Sequence, residues 1–220
     1  MRKRLFIAIA VAALLWFYMF SPWTSGLSNF WFNMSCAALV LSALALSSGV
    51  VPALFQGSSD SFSSDLRSPA VQILIGVALA FALWGVFWLG DKVSQLMFDF
   101  ARGQVDNVYS MKTGLPSWVI ALLLLFVIGP AEEIFWRGYV QTSFQRIFAS
   151  RRFPADLAFL VTVIIYALVH IWSFNFMLVM AALVAGAVWG FIYRLRPSLL
   201  PALVVSHALW DALVFIILPI

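Results

Sequence analysis

Long apolar stretches separated by short polar segments make up most of this chain of 220 residues. Most of the stretches approach the roughly 20 residues that an α-helix needs to cross a bilayer. We therefore predict an all-α, polytopic membrane protein, a bundle of about seven transmembrane helices. The predicted spans are Leu5–Phe20, Phe30–Phe55, Val71–Leu89, Trp118–Phe135, Leu157–Trp172, Phe176–Tyr193 and Leu199–Leu218.

The composition is that of a protein solvated mainly by lipid. Hydrophobic residues make up 64% of the chain and charged residues only 10%, which leaves too little polar surface for a water-soluble domain. The first span follows "MRKR" and is not followed by a small-residue cleavage site, so we predict an uncleaved signal anchor. The single cysteine, Cys36, lies inside the second span and cannot form an intrachain disulfide.

The basic residues fall mainly on one side of the predicted membrane. With a cytoplasmic N-terminus, ten of the thirteen face the cytoplasm: Arg2, Lys3, Arg4, Arg67, Arg137, Arg146, Arg151, Arg152, Arg194 and Arg196. Lys92, Arg102 and Lys112 lie in the opposite loop, which also contains aspartates. The positive-inside rule therefore predicts a multi-pass protein of a bacterial-type inner (plasma) membrane with a cytoplasmic N-terminus. The net charge of +4 reflects this topology, and no nucleic-acid partner is expected.

Two polar segments and one glycine pair complete the predicted architecture. Gln56–Pro69 is predicted to be a serine-rich cytoplasmic loop. Asp91–Pro116 is the longest polar segment, and within it Lys92–Met111 is predicted to form an interfacial helix on the outer face. Gly186 and Gly190 form a G-x-x-x-G pair that predicts close helix packing in the sixth span. Most tryptophans fall near span ends, which is typical of an interfacial belt.

A small group of ionisable residues lies inside the predicted spans. Glu132 and Glu133 are in the fourth span, His170 is in the fifth, and His207 and Asp211 are in the seventh. They include both glutamates and both histidines of the chain. Ionisable groups in a membrane are energetically costly and are usually functional. Because these residues come from different spans, a shared buried site explains them better than separate positions at span ends.

The spacing of these residues places several of them on common helix faces. Glu133 and Arg137 are four residues apart and can form an ion pair. His207 and Asp211 have the same spacing, so the carboxylate could orient the imidazole. Adjacent Glu132 and Glu133 point about 100° apart on a helix, so one can face a cavity while the other pairs with Arg137.

Three short motifs occur in order on the fourth, fifth and seventh spans: "EEIFWR", "YALVH" and "HALWD". They resemble the E-E-x-x-x-R, F-x-x-x-H and H-x-x-x-N/D motifs of the CAAX-processing type II protease and bacteriocin-processing family. These proteins, also called CPBP or Abi proteins, are described as glutamic-type or metallo-type intramembrane proteases. The resemblance departs at Tyr166, where phenylalanine is usual and whose hydroxyl could bond inside the site. It also departs at Asp211, where eukaryotic members have asparagine.

The resemblance covers about Trp118–Leu218. It divides the predicted single transmembrane domain, residues 1–220, into two parts. Residues 1–116 are then accessory spans and an outer loop, and residues 117–218 are a catalytic core. The implied function is an intramembrane endopeptidase that hydrolyses a peptide bond of a membrane-associated substrate with glutamate-activated water. The implied catalytic residues are Glu132, Glu133, Arg137, His170, His207 and Asp211.

Two mechanisms are compatible with these residues. In the metal-free account, Glu132 and His170 handle the water, while His207 with Asp211 stabilises the oxyanion. In the metal account, Glu132, His170 and His207 bind zinc and leave a position for water. No cofactor is required by the sequence, and the metal-free account is favoured because H-E-x-x-H is absent and the nearby arginine disfavours a cation. Zinc remains the alternative.

The expected partners are a membrane-anchored protein or peptide substrate and the lipid bilayer. A proton-coupled transporter or channel could use the same residues as a proton relay, although the internal repeats or broken helix pairs typical of transporters are missing from the sequence. A catalytically inactive membrane partner of the same fold is the other alternative. One difficulty is depth: counting about 1.5 Å per residue from the predicted span ends puts Glu132 roughly 8 to 12 Å from the cytoplasmic side and His170 roughly 24 Å.

Overall fold

The structure, a computed structural model, describes residues 2–51 and 68–220. Within these ranges the secondary structure is helical without strands, and seven helices are long and apolar enough to cross a membrane. They are α1 (Arg2–Phe20), α2 (Phe30–Ser47), α3 (Pro69–Met97), α5 (Ser117–Ile147), α6 (Pro154–Ser173), α7 (Phe176–Leu195) and α8 (Pro197–Ile217). A short helix, α4 (Ala101–Tyr109), lies between α3 and α5. The predicted all-α membrane bundle is confirmed. The end of the predicted second span and most of the predicted serine-rich loop, including Arg67, lie outside the described residues.

Local sequence explains where several helices begin. Asn29 and Asn175 precede α2 and α7, and each side chain accepts a backbone amide hydrogen bond of the first turn, at 3.1 and 2.9 Å. Pro69, Pro154 and Pro197 are the first residues of α3, α6 and α8. Proline is favoured there because its fixed φ suits the helix and its missing N–H has no intrahelical acceptor.

Helix α4 marks one end of the bundle, which we call the α4 end. Gln104 of α4 caps the start of α7: Asn175 Nδ2 donates to its carbonyl oxygen at 2.7 Å, and Met177 N donates to its side chain at 3.0 Å. The Tyr109 hydroxyl donates to the carbonyl oxygen of Val214, near the end of α8, at 2.9 Å. The prediction of one interfacial helix over Lys92–Met111 was partly wrong, because its first residues continue α3 to Met97 and only Ala101–Tyr109 form a separate helix.

The fourth predicted span ends too early, and its extension removes the predicted depth difference. Helix α5 continues past Phe135 to Ile147. At about 1.5 Å per residue, Glu132 lies about 22 Å from the Ile147 end of α5, and His170 lies about 24 Å from the Pro154 end of α6. The two side chains are therefore at similar depths. The predicted end at Phe135 was too early because the charge of Arg137 suggested the end of a span. In the structure Arg137 is buried, with only 1% of the residue exposed.

Close helix contacts place the ionisable residues together. Helix α8 packs along α3 and against the middle of α5, and α6 pairs with α7. Gly186 and Gly190 lie against aromatic rings of α6, as the predicted close packing requires. Trp16, Trp136 and Trp189 are fully buried, so the interfacial-belt interpretation is wrong for these three.

Candidate active site

Helix α5 carries both glutamates in a short α-helical turn between two π-helical segments. The turn is Gly129–Glu133, and the π-helical segments are Leu124–Ile128 and Ile134–Gln141. Such segments widen a helix locally and occur frequently at functional sites. Both glutamates are buried. They point in different directions, as the helical angle between neighbouring residues predicts.

Gly129 allows α8 to approach the glutamates closely. A Cβ atom at this position would lie 2.6 Å from the Cα atom of Ala208, well inside van der Waals contact. Because Ala208 follows His207 in α8, this approach brings the imidazole up to the turn that carries Glu133.

Glu133 contacts two other predicted site residues, Arg137 and His207. Its Oε1 atom accepts hydrogen bonds from Arg137 Nη1 at 2.7 Å and from His207 Nδ1 at 2.8 Å. All three side chains are buried, so the ion pair is shielded from solvent. The predicted Glu133–Arg137 pair is present, whereas the contact with His207 was not predicted. The interpretation of Arg137 as a cytoplasmic charge was wrong, because it is an internal counter-charge.

Arg137 also ties α5 to α7. Its Nη2 atom donates to the carbonyl oxygen of Gly186 at 3.3 Å, and one turn later Gln141 Nε2 donates to that of Gly190 at 2.9 Å. The guanidinium lies over the rings of Tyr166 and Trp189, at 5.0 and 5.4 Å from their centroids, where cation–π attraction is favourable. The guanidinium is therefore fixed on several sides.

Glu132 is positioned from α6. The Tyr166 hydroxyl donates to Glu132 Oε2 at 2.9 Å. A hydroxyl donor to a carboxylate is one of the stronger hydrogen bonds in proteins, and phenylalanine at this position could not make it. The expectation that the extra hydroxyl bonds inside the site is confirmed.

His170 has a partner at each ring nitrogen. Its Nδ1 atom lies 2.8 Å from the carbonyl oxygen of Tyr166, and its Nε2 atom accepts from Trp16 Nε1 at 3.0 Å. A carbonyl oxygen can only accept and an indole N–H can only donate. The proton therefore resides on Nδ1, and the lone pair of Nε2 is engaged by Trp16.

His207 is held between a carboxylate and an aromatic ring. It stacks on Trp189 with ring centroids 3.9 Å apart and an interplanar angle of 19°. The Trp189 N–H donates to Ser206 Oγ at 3.1 Å, which fixes the stacking surface. The second imidazole nitrogen, His207 Nε2, lies 3.5 Å from Asp211 Oδ2. The predicted pair with Asp211 is present, and it is longer than the contact with Glu133.

One cavity of about 150 Å³ connects these groups. Glu132, His170, His207 and Asp211 all line it, with Tyr166 between the first two. This volume is enough for several waters if polar partners are available. Glu133 and Arg137 do not line the cavity. Glu133 contacts the lining residue His207, and Arg137 contacts Glu133. The structure therefore brings all six predicted residues together, and their catalytic roles stay predictions.

A larger apolar groove of about 520 Å³ adjoins the cavity at the α4 end. It lies between α3, α4, α7 and the end of α8. The groove and the cavity share Trp210, Asp211 and Phe215 as part of their walls. The site therefore borders a larger apolar surface.

The alternative zinc set does not fit this arrangement. His170 cannot ligate a metal through Nε2 while that atom accepts from Trp16, and its Nδ1 carries a proton. In residues 2–51 and 68–220, no group of three or more histidines, cysteines, aspartates and glutamates is arranged to hold a metal ion.

Sequence reasoning missed two contributors to the site. Trp16 comes from α1, and Trp189 supports His207 from α7. Neither residue belongs to a motif, and the tryptophans as a group suggested only an interfacial belt. An apolar side chain that supports a polar site has no sequence pattern to distinguish it from an ordinary membrane-facing residue.

The fold and the site together define a polytopic membrane protein with a buried acid–imidazole cluster. Residues 114–213 match the model of the family described as Type II CAAX prenyl endopeptidase Rce1-like. This match confirms the family resemblance drawn from the three motifs, and it contains all six predicted site residues. The match spans 100 of the 220 residues, and the family's description is that of a CAAX-type endopeptidase. No curated protein and no solved structure matches the chain.

Proposed function

We propose that this protein is an intramembrane endopeptidase in which Glu132 activates a water molecule for attack on a peptide bond. The observation that carries the proposal is the shared cavity, which Glu132, His207 and Asp211 line from two helices. Peptide hydrolysis needs an activated water and a donor for the tetrahedral oxyanion. A carboxylate and an imidazole on the same small cavity supply both.

Glu132 is the proposed base. Tyr166 binds one of its carboxylate oxygens, which leaves the other for the water. The carboxylate takes a proton from the water as the oxygen attacks the carbonyl carbon. Glu132 then transfers this proton to the leaving nitrogen as the carbon–nitrogen bond breaks. The protons balance without a second acid.

His207 is the proposed oxyanion donor. Its Nδ1 proton is directed at Glu133 Oε1, so Nε2 is the atom that can address the substrate. With Glu133 on one side and Asp211 on the other, a positively charged ring that donates from both nitrogens is electrostatically balanced. Arg137 keeps Glu133 in place and compensates its charge.

We propose the metal-free route. Its support is the donor set: His170 is engaged on both nitrogens, so the zinc ligands expected from the resemblance are not jointly available. A chelator is then expected to leave the activity unchanged. Loss of activity with a chelator and recovery with zinc would contradict this part of the proposal.

The proposed substrate is a peptide anchored in the membrane. The groove beside the cavity is apolar and open, so the anchor of a substrate could lie there while the scissile bond reaches Glu132. Because the family is described by prenylated CAAX substrates, a farnesylated C-a-a-X peptide is the first probe. Peptides with an unprenylated membrane anchor are the second.

We propose that the basic end of the bundle faces the cytoplasm. Arg146, Arg151, Arg152, Arg194 and Arg196 lie at the end opposite α4, and the positive-inside rule orients such ends inward. The groove beside the cavity is lined by α4. The substrate would then approach from the outer half of the membrane of a bacterial-type cell.

The test is cleavage of these anchored peptides by purified protein in lipid nanodiscs. The wild type is compared with Glu132→Gln, which keeps the size and polarity of the side chain. Cleavage that depends on Glu132 supports the proposal, and equal cleavage by both proteins contradicts it.

A further inference from the structure

An indole from α1 forms part of the site although α1 lies outside the segment that matches the family. Trp16 is 1% exposed, and its N–H donates to His170 Nε2 at 3.0 Å. Helix α1 packs against the 3₁₀ turn His170–Ser173 that ends α6. The contact spans 154 positions along the chain and is thus set by the fold.

The two partners of His170 determine its tautomer. A neutral imidazole has one N–H and one lone pair. The carbonyl oxygen of Tyr166 requires the proton on Nδ1, and the Trp16 N–H requires the lone pair on Nε2. No other assignment satisfies both partners, so the surrounding residues impose a neutral ring with Nδ1 protonated.

Aromatic packing fixes the ring in this position. The centroids of Trp16, Phe20 and Tyr166 lie 5.8, 5.7 and 5.2 Å from that of His170. The Trp16 ring also packs edge-on against Trp136, with centroids 6.3 Å apart. Side chains that are locked by packing and by a supporting hydrogen bond hold a site geometry most accurately.

We propose that Trp16 is a positioning residue that acts through His170. Its N–H holds the imidazole neutral against the cavity beside Glu132 and engages the lone pair that would otherwise bind water. Glu132 is then the residue that transfers protons, and α1 contributes the Trp16 side chain to the site. The kinetic test of this inference rests on the proposed endopeptidase activity, whereas the spectroscopic test does not.

Histidine ¹⁵N NMR of the full chain in nanodiscs tests the inference without a substrate. The chain has two histidines, so a single comparison with His207→Asn assigns both. We expect His170 to be neutral with its proton on Nδ1. Trp16→Phe should shift the Nε2 resonance of His170, and it should leave His207 unchanged. A proton on Nε2, or an unshifted Nε2 resonance in Trp16→Phe, would overturn the inference.

Trp136→Phe is the matched control for the loss of ring volume. Trp136 is also fully buried and packs on Trp16, but within the described residues its indole N–H has no hydrogen-bond partner. This variant should leave the Nε2 resonance in place. An equal shift in both variants would mean that packing alone acts on His170, and the inference would be wrong.

A double-mutant cycle on cleavage gives the functional test. Because Trp16→Phe removes one hydrogen bond, we expect kcat to fall about tenfold with KM nearly unchanged. In a His170→Asn background, Trp16→Phe should have no further effect, since residues that act through each other are non-additive. Additive effects, or a rise of kcat in Trp16→Phe, would overturn the inference. If the wild type does not cleave any probe, the proposed function fails while the NMR result still decides the role of Trp16.

Discussion

His207 Nδ1 lies 2.8 Å from Glu133 Oε1, across 74 positions of the chain, and this contact joins α5 to α8 at the centre of the site. The same carboxylate oxygen accepts from Arg137. The second glutamate of the E-E pair therefore orients the imidazole of another motif and is itself held by an internal arginine. This atom joins the first and third motifs, and the bond from Tyr166 to Glu132 Oε2 adds the second.

Replacing Glu133 by glutamine should damage both stability and catalysis. Glutamine leaves Arg137 without a buried counter-charge, and breaking a buried ion pair typically destabilises by about 3–5 kcal/mol. The His207 ring also loses the carboxylate that orients it. We expect a lower unfolding temperature in nanodiscs and a cleavage rate at least about tenfold lower.

Asp156→Asn is the control for this variant. It removes another ion pair, with Arg194 at 2.6 Å, that is partly exposed and distant from the cavity. Exposed pairs contribute about 0–1 kcal/mol, so this variant should behave as the wild type. Wild-type cleavage by Glu133→Gln would contradict the assigned role of the carboxylate.

Tyr166→Phe should reduce the rate of cleavage less than Glu132→Gln does. It removes the hydroxyl bond to Glu132 and restores the residue usual in the family, while the ring beneath Arg137 remains. A hydrogen bond to a charged group contributes about 1.5–3 kcal/mol. Because the carboxylate itself remains, we expect a loss near the lower end of this range, about tenfold in kcat. Tyr166→Phe with no remaining activity would show that the hydroxyl, and not Glu132 alone, takes part in the reaction. Steady-state kinetics on the anchored peptide distinguish the two outcomes.

Gly129→Ala should separate α5 from α8. The new Cβ would meet the backbone of Ala208 at 2.6 Å, which neither helix can relieve by rotating a side chain. Overpacking of this kind costs about 1–3 kcal/mol, and here it also displaces His207 from Glu133. We expect reduced thermal stability and reduced cleavage.

Gly85→Ala is the matched control, because a Cβ on Gly85 in α3 would meet nothing within 4 Å. Replacing glycine by alanine in a helix removes a glycine penalty of about 1 kcal/mol. This variant should be as stable as the wild type or more so. The account of α5–α8 packing is wrong if the two variants behave alike.

Labelling of two introduced cysteines can determine the orientation of the bundle in the membrane. Cys36 is the single native cysteine, so Cys36→Ser gives a background without thiols. Thr113 at the α4 end and Arg151 at the basic end are both exposed. With intact cells, a membrane-impermeant maleimide should label Thr113→Cys and spare Arg151→Cys until the cells are opened. The opposite pattern would reverse the proposed orientation.

The sequence predicts the fold well because membrane insertion leaves a direct trace in composition. In the part of the chain that the structure describes, apolar runs of the right length predicted the seven helices able to span a membrane. The three motifs selected the six residues that the structure brings together. The end of the fourth span could not be predicted, because a buried arginine with an internal partner looks like an interfacial one.

Side-chain contacts between helices that are distant in the sequence were the main feature of the site that could not be predicted. The predicted partner of His207 was Asp211, four positions away, since helical spacing reveals only neighbours on the same helix. Its shorter contact, with Glu133, depends on how closely α8 packs on Gly129. The bond from Trp16 to His170 likewise depends on packing and connects α1 to a site whose motifs begin more than a hundred residues later.

Cleavage of a farnesylated C-a-a-X peptide or an unprenylated anchored peptide in nanodiscs, by wild type and by Glu132→Gln, tests the central claim most directly. Thermal unfolding and histidine NMR establish that the variant is folded. General-base catalysis typically contributes 10²–10⁴-fold, so we predict that Glu132→Gln cleaves at least about 100-fold more slowly, with or without a chelator. Cleavage by Glu132→Gln at the wild-type rate would contradict the account.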